Sequence, residues 1–371
     1  MVFSLLPVFL QTEFGFSNTR IGAMEGFALF VSNFSRVFSG VLSDVLKSRV
    51  KVIAVGSVMT AAMKLTLASA GNVQQVVVGK LLDRFGKGIR AAPTDALIAD
   101  LSPRPKRSST YGLHQSMTTL GGVVGSLAAM TVMKATHNNF RATFTLATFP
   151  SIIAIFILIK AVRKPKRKMS KPNFMWGEWK WSWTEVAQLP WAFWRALLVF
   201  SILKVARFSE AFVTLHAKAV GMQVAYLPVL MFATNIMQSA LTYPFGVYAD
   251  NAEQRGRDRR KTMLLVGFGL MVVADAILVM ANVPWQVFLG YLVVGVHMSM
   301  TQGNMKAVLS ATMPPNVRGT GFAIAAMSQG LSLGFGNYMA GFLCDQLGSA
   351  GAFWGGGAFA LLALGVGWLL L

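Results

Sequence analysis

Ten apolar runs dominate this sequence, at 21–42, 52–70, 111–133, 142–161, 191–215, 225–248, 262–281, 285–309, 319–343 and 351–371. Each is close to the 20 or so residues that a helix needs to cross a lipid bilayer. The composition agrees: 54% of residues are hydrophobic and 13% are charged, against about 25% charged in a soluble domain. A water-soluble enzyme, a disordered chain and a coiled coil are therefore poor descriptions. The lone cysteine, Cys344, excludes a disulfide framework and a thiolate cluster. His114, His137, His216 and His297 are too scattered for a local metal motif, so neither metal nor cofactor is expected.

Two further crossings are less plain. Residues 74–100 start apolar but then carry Lys80, Asp83, Arg84, Lys87 and Arg90. Residues 1–10 are apolar but only half long enough, and are expected to be the far half of a first helix. With both included the chain crosses twelve times, and its loops alternate between two sides. One set of loops holds twenty basic residues and the other four. That bias places the basic loops in the cytoplasm and accounts for most of the +20 net charge without nucleic acid as a partner. The charge is a topology signal.

The chain also repeats. GVLSD at 40–44 recurs as GVYAD at 246–250, and Pro103 with Arg107 recurs as Pro314 with Arg318. The expected organisation is an amino-terminal bundle (1–161), a basic, Trp-rich cytoplasmic linker (162–190) resting on lipid, and a carboxy-terminal bundle (191–371). Two similar halves around a central site suit alternating access by rocking.

These features resemble the major facilitator superfamily of secondary transporters. The family's loop motif appears in GVLSDVLKSRVK, with Gly40, Asp44 and Arg49 in place and Val45 where a basic residue is usual. DRFGKGIRAAPTDALIAD (83–100) is similar to the fourth helix of a bacterial subgroup, as are PPNVRGTGF (314–322) and Ser209 to Phe212. The resemblance implies an all-α, twelve-helix fold of two six-helix bundles with helix 1 incomplete. It further implies a monomer in a bacterial inner membrane or one derived from it, and no enzyme activity. It implies gating by Gly40, Asp44, Arg49 and Asp250, and a part for Arg84 in proton coupling. Two departures stand out. Gln302 replaces an acidic residue, and Gly125-Ser126 replaces the Gly-Pro of the antiporter motif.

Charges inside a span cost about 2.5–3.5 kcal/mol each and so mark candidate sites. In the fourth span Lys80, Arg84 and Lys87 share a face, and Asp83 can neutralise Lys80 or Lys87 but not both. The surplus needs a counter-charge from Glu25, Asp95, another helix or an anionic substrate. Glu25 and Arg36 share a face roughly 16 Å apart along the axis, with Glu25 expected as a carboxylate at the watery outer rim. The seventh span sets Lys204, Arg207 and Glu210 at three-residue steps, so that Glu210 can pair with Arg207. His297, Thr301 and Asn304 form a stripe in the tenth span beside Gln302, as either a site or interhelical glue. Lys64 and Asp275 are expected to be satisfied within their own halves. The function that follows is secondary active transport of a small solute or ion, with Glu210 and then Glu25 as carboxylates for proton coupling. The basic surplus favours an anion, a metal or a metal chelate, iron included. A transporter-like scaffold or solute sensor is the rival reading.

Overall fold

The computed structural model describes residues 5–45, 48–101, 107–161, 186–254, 259–314 and 317–371. Most of the expected linker at 162–190 lies outside the described residues. Within them the chain is helical, with no strand. The helices are α1 (Leu6–Phe14), α2 (Asn18–Val45), α3 (Arg49–Ala68), α4 (Val73–Leu101), α5 (Arg107–Ala135), α6 (Phe140–Leu146) and α7 (Thr148–Ala161). They continue as α8 (Trp191–Ala206), α9 (Glu210–Ala219), α10 (Pro228–Gln254), α11 (Arg260–Val279), α12 (Pro284–Thr312), α13 (Arg318–Leu347) and α14 (Gly351–Leu370). The weak fourth span is thus one helix of 29 residues despite its charges and Pro93.

Local chemistry sets the boundaries. Ser48 caps α3 by accepting from the Lys51 amide, and Asn139 caps α6 through the Ala142 amide, each satisfying an orphan donor of a first turn. The α5–α6 turn holds His137 and Asn138 at φ 51° and 65°. Gly348 takes φ 84° between α13 and α14.

The exterior is apolar. Phe149, Ile152, Ile153, Phe156, Ile157 and Ile159 of α7 are all more than half exposed, and Trp354, Trp368 and Leu369 of α14 are likewise open. Meanwhile Lys80, Asp83, Glu25, Asp275 and His297 are almost completely buried. Apolar side chains outside and ionisable ones inside is the arrangement that lipid selects. Among the described residues, five helical stretches are long and apolar enough to cross a membrane by themselves, including Arg260–Val279 and Gly351–Leu370. This is an integral membrane protein.

The helices gather into two compact units. One comprises residues 1–26, 116–138 and 185–371, and the other 27–115 and 139–184. In the first, α11 packs on α12 and α14, α10 on α12, and α8 on α13 and α14. Phe193, Phe200, Leu203, Leu264 and Phe268 belong to one apolar cluster within it. In the second, α3 packs on α4, α6 and α7. Gly56 and Gly86 let α3 and α4 touch: a Cβ on either would come within 2.6 Å of the other's carbonyl oxygen. Close approach over small residues is how helices adhere where lipid is as apolar as leucine.

Candidate functional site

Each unit holds a group of ionisable side chains. In the unit containing α4, Asp83 is fully buried and forms an ion pair with Lys87 at 3.0 Å, one turn along. Asp83 therefore neutralises Lys87, while its field also reaches Lys64 and Arg90. Lys80 is buried at 1% exposure, and Arg84 lies close enough for its charge to act on Lys87. Arg36 pairs with Asp95 at 3.4 Å, and both are about half exposed. Lys64 Nζ donates to the Ala147 carbonyl at 3.0 Å and to the Ser151 hydroxyl. It is satisfied where α6 gives way to α7, within its own half as expected. Gly88, four residues past Arg84, lies against α2, where a Cβ would overlap the Ser32 carbonyl and approach Ser35 to 2.7 Å. Packing accounts for the glycine fully.

The second group differs in its backbone. The run 191–215 is not one helix: α8 stops at Ala206 and α9 starts at Glu210. The even three-residue steps expected from Lys204 to Glu210 are thus interrupted. Arg207 leaves the helix at φ −96°, ψ 69°. Ser209 caps α9 by accepting from the Ala211 amide, and its own amide donates to Asn337 Oδ1 at 2.7 Å. An unwound segment at membrane depth is stable only when buried in protein or lining a wet cavity, and transporters place ligand sites at such breaks.

Around the break, Lys204 feels the charges of Arg207 and Lys306, and Arg207 those of Glu210 and Tyr291. Glu210 is the carboxylate whose field reaches Arg207. Arg207 Nη1 is buried with no hydrogen-bond partner among the described residues. A guanidinium carries five donors in a rigid fork suited to carboxylate and phosphate, so an orphaned donor here can take an anion.

The remaining candidates fall elsewhere. His297 is fully buried and its Nδ1–H donates to the Gly267 carbonyl of α11 at 2.7 Å, while Thr301 and Asn304 bond back to their own helix. That stripe is turned toward α11, although the charges of Arg207 and Lys204 reach His297. Gln302 is half-buried beside it. Glu25 is 2% exposed, which corrects its expected place as a rim carboxylate in water. Asp275 is also corrected. It is 1% exposed beside Gly356, and neither carboxylate oxygen has a hydrogen-bond partner among the described residues. Of the gating residues, Arg49 opens α3 and is half-buried; the side chains of Gly40, Asp44 and Asp250 lie outside the described residues.

Two participants escaped the sequence reading. Lys306 stood in a span and so carried the usual signal of an intramembrane charge. Tyr291, 4% exposed, is an ordinary aromatic in an apolar run and gave none.

Comparison with known proteins agrees with this architecture. The family model of the Major Facilitator Superfamily matches residues 1–257 and 208–371. An MFS-type transporter of Methanocaldococcus jannaschii, described as uncharacterized, is 24% identical over 92% of this chain and 84% of its own length. A probable 4-methylmuconolactone transporter of Cupriavidus pinatubonensis is 25% identical over 98% of this chain and 83% of its own. Among solved structures, the peptide transporter POT superposes with a TM-score of 0.81 at 12% identity, covering 100% of this chain and 90% of that one. A D-xylose-proton symporter gives 0.74 at 15% identity, over 100% and 93%. With the family model spanning both ends, the helices matching the apolar runs and the fold shared with solved carriers, this chain belongs to the major facilitator superfamily and is a transporter rather than an enzyme.

Proposed function

We propose that the protein carries a small anionic solute across a bacterial inner membrane, or a membrane derived from one, by secondary active transport. The two halves (1–161 and 191–371, joined by 162–190) alternate the access of a central site. The observation that supports this most is the unwound segment 207–209, where Arg207 holds a buried donor with no partner among the described residues and lies in the field of Glu210. A neutral sugar or a cation would do nothing to balance the buried positive charge of Arg207 in low dielectric. An anion cancels part of it and satisfies the orphaned N–H. A negatively charged metal chelate meets the same requirement.

Glu210 is the carboxylate placed to couple a proton to this step. It opens α9 and shares the field of Arg207 and Tyr291. Loss of its charge on protonation would strengthen the hold on an anion, which makes cotransport of anion and proton the natural stoichiometry. Glu25 is the second carboxylate for this role.

The test is counterflow in proteoliposomes, using panels of carboxylates, phosphates, neutral sugars and organic cations. Saturable counterflow of an anion, abolished in Arg207→Gln with normal insertion, is the expected result. Counterflow of a neutral or cationic solute only, or anion flux untouched by Arg207→Gln, overturns the reading. Binding without flux would identify a sensor.

A further inference from the structure

We propose that Asp345 is the latch of a gate at the end of the protein opposite its basic loops, fastening the first turn of α2 whenever that end is closed. The proposal rests on the transport reading for its purpose, but its geometry lies within one compact unit and is independent of any substrate.

The latch begins with a general defect of helices: the first amides of α2 have no partner inside the helix. Asp345, in the last turn of α13, supplies one. Its Oδ1 accepts from the Asn18 amide at 3.0 Å and from Asn18 Nδ2 at 2.9 Å. Its Oδ2 accepts from the Thr19 amide at 2.8 Å and from Thr19 Oγ1 at 2.6 Å. Both carboxylate oxygens are thus used twice, and the negative charge sits at the positive end of the α2 dipole. These residues are 326 and 327 positions apart in the chain, so nothing local dictates the contact.

Below the latch runs a seam with almost no side chain in it. A Cβ on Gly341 would overlap the Asn18 carbonyl, one on Gly22 would overlap that of Asn337, and one on Gly26 would come within 2.6 Å of that of Gly334. The positions step by four along α2 (18, 22, 26) and return along α13 (341, 337, 334), so two helices meet backbone to backbone over about two turns. Gly122 of α5 instead meets a side chain, its Cβ position 2.8 Å from Nδ2 of Asn235 on α10. The adhesion is mainly dispersion, which is weak per atom and vanishes within an ångström or so.

Such a surface separates easily and has little to define its closed register. The carboxylate supplies that register through four directional bonds. Asp345 is also exposed, so on opening its oxygens and the α2 amides pass to water at small cost. A latch with these properties holds a state while leaving the two states within a few kcal/mol, as an alternating carrier requires.

The experiment measures accessibility and needs no substrate. Met24, buried at 8% on α2, is replaced by cysteine in a Cys344→Ser background, and its labelling by an impermeant maleimide is followed in intact cells from the face opposite the basic loops. Slow labelling is expected in the parent. Asp345→Asn should label about tenfold faster, consistent with one or two charge-assisted bonds lost, and Thr19→Val should rise less. Gly341→Leu, a wedge in the seam, should label fastest. Parent-like labelling of Asp345→Asn overturns the latch, whether or not the wedge variant reaches the membrane. An Asp345→Asn effect with no anion counterflow in the parent would instead leave the latch standing and sink the proposed substrate class.

Discussion

The two polar centres of this protein solve the same problem differently. On α4, Lys80, Asp83, Arg84 and Lys87 ride on one unbroken helix, and the fully buried Asp83 is the hub of an ion pair at 3.0 Å. At the α8–α9 junction the helix itself is interrupted, and Arg207 Nη1 has no hydrogen-bond partner among the described residues. In the first centre Asp83 ties Lys87 within one helix, and we assign that centre to the frame. The second is incomplete, which is the condition for binding something. An ionisable residue in a membrane helix therefore does not by itself mark a site. An outstanding hydrogen bond at a break in the helix does.

The sharpest way to break this contrast is to remove the hub. Asp83→Asn leaves Lys87 and its neighbours without their buried counter-charge, a loss of about 3–5 kcal/mol for one partner of a buried pair. We expect the variant to insert poorly, or to unfold at clearly lower temperature in detergent. If it inserts and melts like the parent but fails to transport, α4 is the working site and the assignment of roles reverses.

Arg207→Gln should do the opposite: stability close to the parent, and affinity for the transported anion weaker by about 30- to 150-fold, as for a lost charged hydrogen bond of about 2–3 kcal/mol. Ligand titration and melting on the same preparation separate the two effects. Matching losses in both would show that Arg207 is structural.

Backbone contacts sharpen the comparison at a smaller scale. Gly88 abuts the Ser32 carbonyl in one unit, and Gly336 abuts the Val205 carbonyl, two residues before Arg207, in the other. Alanine at either forces a shift of backbone, costing about 1–3 kcal/mol as overpacking does. Gly88→Ala should lower melting temperature with affinity intact. Gly336→Ala should also move α8 against the break, lowering melting temperature and affinity together.

The contrast was only partly visible in the sequence. The long apolar runs became helical, as length and hydropathy predict, although 142–161 and 191–215 are each divided between two helices. Even α4 was recoverable once the basic loops had to alternate. The break at 207–209 was missed because Lys204, Arg207 and Glu210 obey helical spacing and no Gly or Pro interrupts them. A signal was nonetheless present: Ser209 followed by Glu210 is a cap and an acidic first residue in the middle of a span. Burial of Glu25 could not be read, since periodicity gives the face of a helix but not what covers it. Asp345 was invisible for the same reason, being an end-of-helix carboxylate whose partners lie more than 300 residues away.

The smallest expected effect concerns that carboxylate, and pH exposes it. Burial pushes Asp345 upward, but the hydrogen bonds from Thr19 and Asn18 outweigh it and hold the carboxyl below its ordinary value. A group whose pKa is lower when latched favours the latched state wherever it is ionised, and that preference fades as pH falls through the lowered value. The ordinary aspartate pKa is about 3.9, so nothing should change between about pH 7 and 5, and release should begin below about pH 4. Cys344 beside Asp345 and His216, whose Nδ1 bonds Ser349 just past α13, are further titratable groups at that end, and Arg20 stands in the same first turn. Spin labels on the exposed Ser17 and Gln346 would report the separation of the α2 and α13 ends. Their distance should lengthen only in the acid window, and Asp345→Asn should show the longer distance at every pH. A transition between pH 5 and 7 that survives in Asp345→Asn would assign the pH response to another group and remove the carboxylate from the gate.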